Sequence, residues 1–218
     1  MQKLIMKIKS LPRYSKVCFL ISAVSHFMVY YIPLLFGKDT ETMLTSRLDE
    51  LIPCVPVFVW PYVLAFPFWV LCFGFMYTMN EKLAKRLVVA DLIAKTVCVF
   101  CFCLFPCTLV LPEAVGLGAW ALKIVRACDK PTNLFPSMHC YLSCMCALPL
   151  FSRYAGKTSL WFKLFCTAFA LLICVSTLFT KQHVFLDVWT GIADTVGAWL
   201  LSCLIWKIID SRKGAANK

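Results

Sequence analysis

Residues 177–191, TLFTKQHVFLDVWTG, place Lys181, His183 and Asp187 at the mouth of an apolar run. His183 and Asp187 stand at i,i+4, so a helix would carry both on one face. A carboxylate so placed can hydrogen-bond one imidazole nitrogen and fix the tautomer. The other nitrogen is then left to attack or to accept a proton. Lys181 adds a cation where an anionic group under attack would sit. A plainer reading stands beside this one: Asp187 neutralises Lys181, or caps the helix that follows.

A second stretch, residues 129–140 (DKPTNLFPSMHC), brings another histidine to another helix start. Proline is tolerated in a first helical turn and cannot continue an existing helix, so Pro136 and Ser137 mark a beginning. Backbone N–H groups there have no partner in the helix, and with the positive end of the dipole they make an anion site. His139 falls in that first turn. A lone histidine in such a place is commonly structural. Paired with His183 on one face of a membrane, it becomes the acid that complements a nucleophile, which is what phosphoryl transfer through a phosphohistidine requires.

The elements that must position these residues are membrane helices. Of 218 residues, 61% are hydrophobic and 15% charged, well outside the globular average. Apolar runs of about 20 residues occur at 15–36, 53–77, 87–111, 135–151, 160–178 and 184–206, the fourth being short for a span. The first is preceded by basic residues, as a signal peptide is, but it is long and lacks a small-residue cleavage pattern, so it reads as a retained span. The fold class is therefore all-α: a polytopic membrane protein, a six-transmembrane-helix bundle forming one integral membrane domain over residues 1–218, with its core motifs at 105–187.

Charge gives the orientation. Fifteen Lys and Arg fall in the N-terminus, the second and fourth connections and the C-terminal tail, against six in the alternate connections. By the positive-inside rule both termini are cytoplasmic, in the cell membrane, and the loop 112–135 and the Lys181 junction share the extracytoplasmic face. The formal charge of +11 is spread between apolar runs rather than gathered on one soluble face, which argues against a nucleic-acid partner. The fourteen cysteines lie mostly in apolar runs and lack metal-ligand spacing, so they read as packing residues. Asp91 and Lys95, at i,i+4 in the third run, read as a mutually paired couple near its cytoplasmic end, with the lysine snorkelling. Four prolines, Pro53, Pro56, Pro61 and Pro67, predict an irregular or kinked second span.

PSMH, ending in His139, followed by KQHVFLD, ending in Asp187, resembles the type 2 phosphatidic acid phosphatase superfamily. The likeness is greatest to the branch with inositol phosphorylceramide synthases and many bacterial membrane phosphatases. The resemblance implies a six-helix membrane bundle and metal-independent hydrolysis or transfer of a lipid phosphate, without a cofactor. By position it makes His183 the nucleophile, Asp187 its orienting partner and His139 the acid that protonates the leaving alkoxide. Lys181 and Ser137 would bind the phosphate, Asn133 would shape the loop before Ser137, and Lys130 and Arg126 are further candidates. Two departures stand out. Thr177 occupies the place of the superfamily's arginine before the nucleophile, with Lys181 as its substitute. Upstream, where the family has Arg-Pro and a lysine seven residues earlier, this chain has Leu111-Pro112 and Leu104, so Lys123, Arg126 or Lys130 would have to supply the missing charge. Two alternatives remain open: a catalytically weak or inactive lipid-binding member of the same fold, and a transporter using His183 and Asp187 as a proton relay. The latter lacks the inverted repeats or broken helix pairs expected of it.

Overall fold

A computed structural model describes residues 10–36, 42–129 and 131–216. In chain order its helices are α1 (Arg13–Phe36), α2 (Arg47–Leu51), α3 (Val59–Met79), α4 (Glu81–Leu104), α5 (Ala119–Cys128), α6 (Met138–Ala147), α7 (Leu160–Phe179) and α8 (Phe185–Ala216). Two short strands, β1 (Thr42–Met43) and β2 (Cys107–Thr108), pair in parallel.

Among the described residues, five helices are long and apolar enough to cross a membrane, and a shorter apolar segment, Met138–Phe151, accompanies them. The short fourth run still traverses the bundle. Helix α6 gives way to 3₁₀ turns at Leu148–Phe151 and Arg153–Ala155, and there the Asn80 side-chain amide donates to the Tyr154 carbonyl at 2.7 Å. Asn80 also caps α4, accepting from the Leu83 amide at 2.9 Å, which starts that helix before the apolar run predicted from residue 87. The run's final residues are not helical, because the chain leaves α4 after Leu104 for β2. The second span begins irregularly, as its prolines predict: Pro56 opens a 3₁₀ turn, Pro56–Phe58, before α3, and Pro67 lies within the helix.

Contacts between helix ends define the two ends of the bundle. At one, the Ser15 hydroxyl donates to the Tyr77 carbonyl (2.7 Å), Arg86 pairs with Asp210 (3.0 Å) and Phe75 meets Phe162. This end gathers the starts of α1, α4 and α7 and the ends of α3 and α8. Residues 106–129 and 131–137 and the α7–α8 junction lie at the other.

Between them a continuous apolar core runs through the six long or traversing helices, with Met76, Leu87, Tyr141, Met145 and Ile173 fully buried. Cys72, Cys98, Cys146 and Cys166 belong to it, and all fourteen cysteines are free thiols. The Asp91–Lys95 pair is formed, at 2.7 Å, but Lys95 does not snorkel. Its three ammonium protons go to Asp91, the Ser22 carbonyl and the Ser25 hydroxyl. Asp91 also accepts from Ser22 (2.6 Å) and Tyr141 (3.2 Å). The pair is thus a satisfied buried knot joining α1, α4 and α6, in a region where an unsatisfied charge would be costly.

Candidate active site

Helix α7 ends in a reversal that carries Lys181 and His183. The Lys181 and Gln182 amides donate to the Leu178 and Thr177 carbonyls at 3.1 and 3.0 Å, and Lys181 has a φ of 57°. This is the Schellman pattern of a helix end, whose left-handed position is usually glycine. A side chain there costs about 1–2 kcal/mol. Thr177 contributes backbone to the turn: its carbonyl also accepts from the His183 amide (3.2 Å), while its hydroxyl donates to Cys174 (2.7 Å).

Asp187 serves two roles at once. One carboxylate oxygen accepts from the Val184 amide at 3.1 Å, which caps α8, and lies 3.3 Å from His183 Nδ1. Nε2 is the imidazole nitrogen left for chemistry. The reading in which Asp187 neutralises Lys181 is overturned, because Lys181 Nζ instead donates to the Asp49 carbonyl at 2.5 Å. Asp49, on α2, was not singled out from the sequence. Its carboxylate accepts from the Phe185 amide (2.7 Å) and from the Ser46 amide (2.9 Å), tying the connection between α1 and α3 to the start of α8. The signal for α2 was present as Ser46-x-x-Asp49, a capping box. Nothing in that spacing points to His183.

Ser137 caps α6, its hydroxyl accepting from the Cys140 amide at 3.3 Å, and its own amide donates to the Asp187 carbonyl at 3.1 Å. Helix α8 approaches this turn so closely that a Cβ on Gly191 would lie 2.6 Å from the Ser137 carbonyl oxygen. The two helix starts are thereby joined, and the His139 and His183 ring centroids stand 5.9 Å apart. Tyr62 stacks on His139 at 4.1 Å, with Trp69 and Phe66 presenting edges at 5.0 and 5.6 Å. This aromatic cage comes entirely from α3 and has no local sequence signal.

Two cavities meet at His183. One, about 430 Å³, is lined by Lys181, His183, Asp49, Glu50, Leu109 and Pro112 among others. The second, about 20 Å³, lies between His139, His183, Gln182, Asn133, Tyr62 and Asp129. That smaller space is the size of about one water molecule, so a phosphoryl group reaches both histidines only if the surrounding side chains part. Ser137 is buried and lines neither cavity. Asn133 takes a left-handed φ of 57°, which asparagine tolerates well.

Arg126 does not project into the larger cavity. Its terminal nitrogens donate to the Pro112 (2.6 Å) and Thr180 (2.9 Å) carbonyls, bracing the loop against the end of α7. Lys123 is exposed, and Lys130 lies outside the described residues. Leu111 is flanked by Val110 and Pro112, both of which line the larger cavity, so that cavity has Lys181 as its lining cation beside the carboxylates of Asp49 and Glu50.

Five buried side-chain polar atoms lack a hydrogen-bond partner among the described residues, and three belong to this site: His139 Nε2, Gln182 Nε2 and Asp187 Oδ1. Unpartnered buried polar atoms are rare in folded proteins, and here they cluster around the two histidines. The pKa of His183 is raised: burial works against the imidazolium, but the hydrogen bond and charge of Asp187 outweigh it. No group of three or more His, Cys, Asp or Glu suited to a metal ion occurs among the described residues.

A family model described as the PAP2 superfamily matches residues 118–213. That segment holds Ser137, His139, Lys181, His183 and Asp187, whereas Leu111-Pro112 falls outside it. It is similar to the superfamily over the part of the chain where the paired histidines stand. Neither the curated proteins nor the solved structures gave a match to the chain.

Proposed function

We propose that the chain is a membrane enzyme of the PAP2 superfamily, a lipid phosphate phosphatase or phosphotransferase working through a phosphohistidine on the extracytoplasmic face. The observation that carries this reading is the His183–Asp187 hydrogen bond with His139 beside it, all within the matched segment. The similarity itself points to phosphatase or phosphotransferase chemistry on phosphate esters.

In the proposed sequence the substrate phosphate enters the larger cavity beside Lys181. His183 Nε2 attacks phosphorus and the P–O bond to the lipid alkoxide breaks, while His139 gives that alkoxide its proton. Water or an acceptor hydroxyl then attacks the phosphohistidine, the P–N bond breaks, and His139 takes the proton from the incoming group. Asp187 holds the His183 tautomer and offsets the imidazolium charge. Lys181, which lines the larger cavity, stabilises the transferring group, a role in which one preorganised donor is typically worth about 10²–10³ in rate.

A second reading, a catalytically weak or inactive lipid-binding member of the fold, is favoured by the acidic lining of the larger cavity and by leucine at position 111. Phosphate release by purified protein across phosphatidate, phosphatidylglycerophosphate and isoprenyl pyrophosphate decides between them. Turnover that disappears in His183→Ala, together with an acid-labile phosphoenzyme in the parent chain, supports the enzyme. Binding of these lipids without release supports the second reading. Undiminished turnover in His183→Ala overturns the mechanism.

A further inference from the structure

Another orphaned buried polar atom is Arg86 Nε, at the opposite end of the bundle. Between Phe185 and Asp210, α8 rises about 38 Å at roughly 1.5 Å per residue, which puts this group far from His183. The Arg86 side chain is only 3% exposed. Its terminal nitrogens donate to the Lys82 carbonyl (3.1 Å) and to Asp210 (3.0 Å), and its guanidinium lies over the Tyr154 ring at 4.0 Å.

Arg86 lines an open cavity of about 510 Å³ with Asn80, Lys82, Arg153, Tyr154, Gly156 and Asp210. Three cations face one carboxylate there, and that carboxylate is half-exposed. The first turn of α4 adds the positive end of a helix dipole. A second cavity, about 400 Å³, shares Asn80 and Gly156 with the first and runs between Phe75, Met79 and Phe162, with Lys157 and Ser159 at its rim. A cationic recess that shares lining residues with an apolar groove between membrane helices matches the polarity of an anionic amphiphile.

The geometry points to a binding site for an anionic phospholipid at the end of the bundle remote from the histidines. The phosphate sits among Lys82, Arg86 and Arg153, and an acyl chain lies along Phe75, Met79 and Phe162. The phosphate displaces Asp210 from Arg86 and receives the unpartnered Nε–H. Such basic recesses at a membrane surface attract anionic headgroups, and a ligand that binds only the folded chain stabilises it.

The test uses the full chain in detergent, with Tm read against added phosphatidylglycerol, phosphatidylcholine or inorganic phosphate. Phosphatidylglycerol, a diester rather than the proposed monoester substrate, should raise Tm by several degrees in a saturable way, with one lipid retained per chain in native mass spectrometry. Phosphatidylcholine should not. Lys82→Glu with Arg153→Glu, both at exposed positions, should abolish the shift; Asp210→Asn should strengthen binding; Lys181→Ala should leave the shift intact. A shift that survives the double charge reversal overturns the site, and so does equal stabilisation by phosphatidylcholine. Inorganic phosphate matching the lipid's full effect overturns the lipid assignment in favour of a free-anion pocket.

Discussion

In the proposed mechanism Asp187 sets both the tautomer and the charge balance of His183, and the two effects separate in a pH profile. Because the His183 pKa lies above its ordinary value of about 6.5, the neutral, attacking form is favoured only at higher pH. The rising limb of kcat/KM should therefore sit above 6.5. Asp187→Asn removes the hydrogen-bonded carboxylate charge that raises the pKa and leaves burial, which lowers it, so the limb should move to lower pH while the plateau falls by about 10²–10⁴-fold. A limb that stays in place would separate Asp187 from the titrating group. For stability the sign is reversed: the fold favours protonated His183, so this contribution is fully present below the ordinary pKa and is lost as pH rises through the raised one. Charge around the larger cavity gives a second residue-scale prediction. Glu50 is exposed and lines the space assigned to an anion, so Glu50→Gln should raise kcat/KM a few-fold, more at low salt, where exposed charges are less screened. Leu111→Arg should raise it further if the side chain reaches the phosphate, whereas Arg126→Ala should act through the loosened Thr180–Lys181 turn. Unchanged kinetics at Glu50 and Leu111 alike would place the substrate elsewhere.

At the scale of elements, the site depends on two helix starts being held together, and Gly191 is what lets them approach. The obstacle to a side chain there is a backbone carbonyl, which cannot rotate away. Gly191→Ala should force α6 and α8 apart, at about 1–3 kcal/mol for overpacking, and separate the histidines. The expected outcome is at least a tenfold fall in kcat with the chain still folded, checked by turnover beside a thermal melt. The same elements show what the sequence discloses. Helix spans were legible because membrane helices announce themselves by length and apolarity, and the paired histidines because their motifs are local. Asp49, the Tyr62 cage and the Gly191 contact were not, since each joins residues far apart in sequence whose types are ordinary in their own surroundings. The snorkelling Lys95 failed for a related reason: its partners Ser22 and Ser25 come from α1, and no pattern within α4 reveals them.

At the scale of the whole molecule, the two ends of the bundle differ in chemistry: one carries the histidine pair, the other the Arg86 recess and both described chain ends. By the positive-inside rule the fifteen-to-six distribution of Lys and Arg predicts a cytoplasmic second end and histidines on the outer face. Cys128 tests that assignment. It ends α5 at the histidine end of the bundle and is the exposed member of the fourteen cysteines, while Cys107 and Cys140, its neighbours in that region, are buried. In intact cells a membrane-impermeant maleimide should label Cys128, and Cys128→Ser should remove the labelling. As an internal control, a cysteine at Lys157, exposed near the opposite end, should react only after the membrane is opened. The reverse pattern, Lys157→Cys labelled in intact cells and Cys128 protected, would invert the topology. The histidine chemistry would then face the cytoplasm and the Arg86 recess the outer leaflet, where the attraction of anionic cytoplasmic lipid no longer applies.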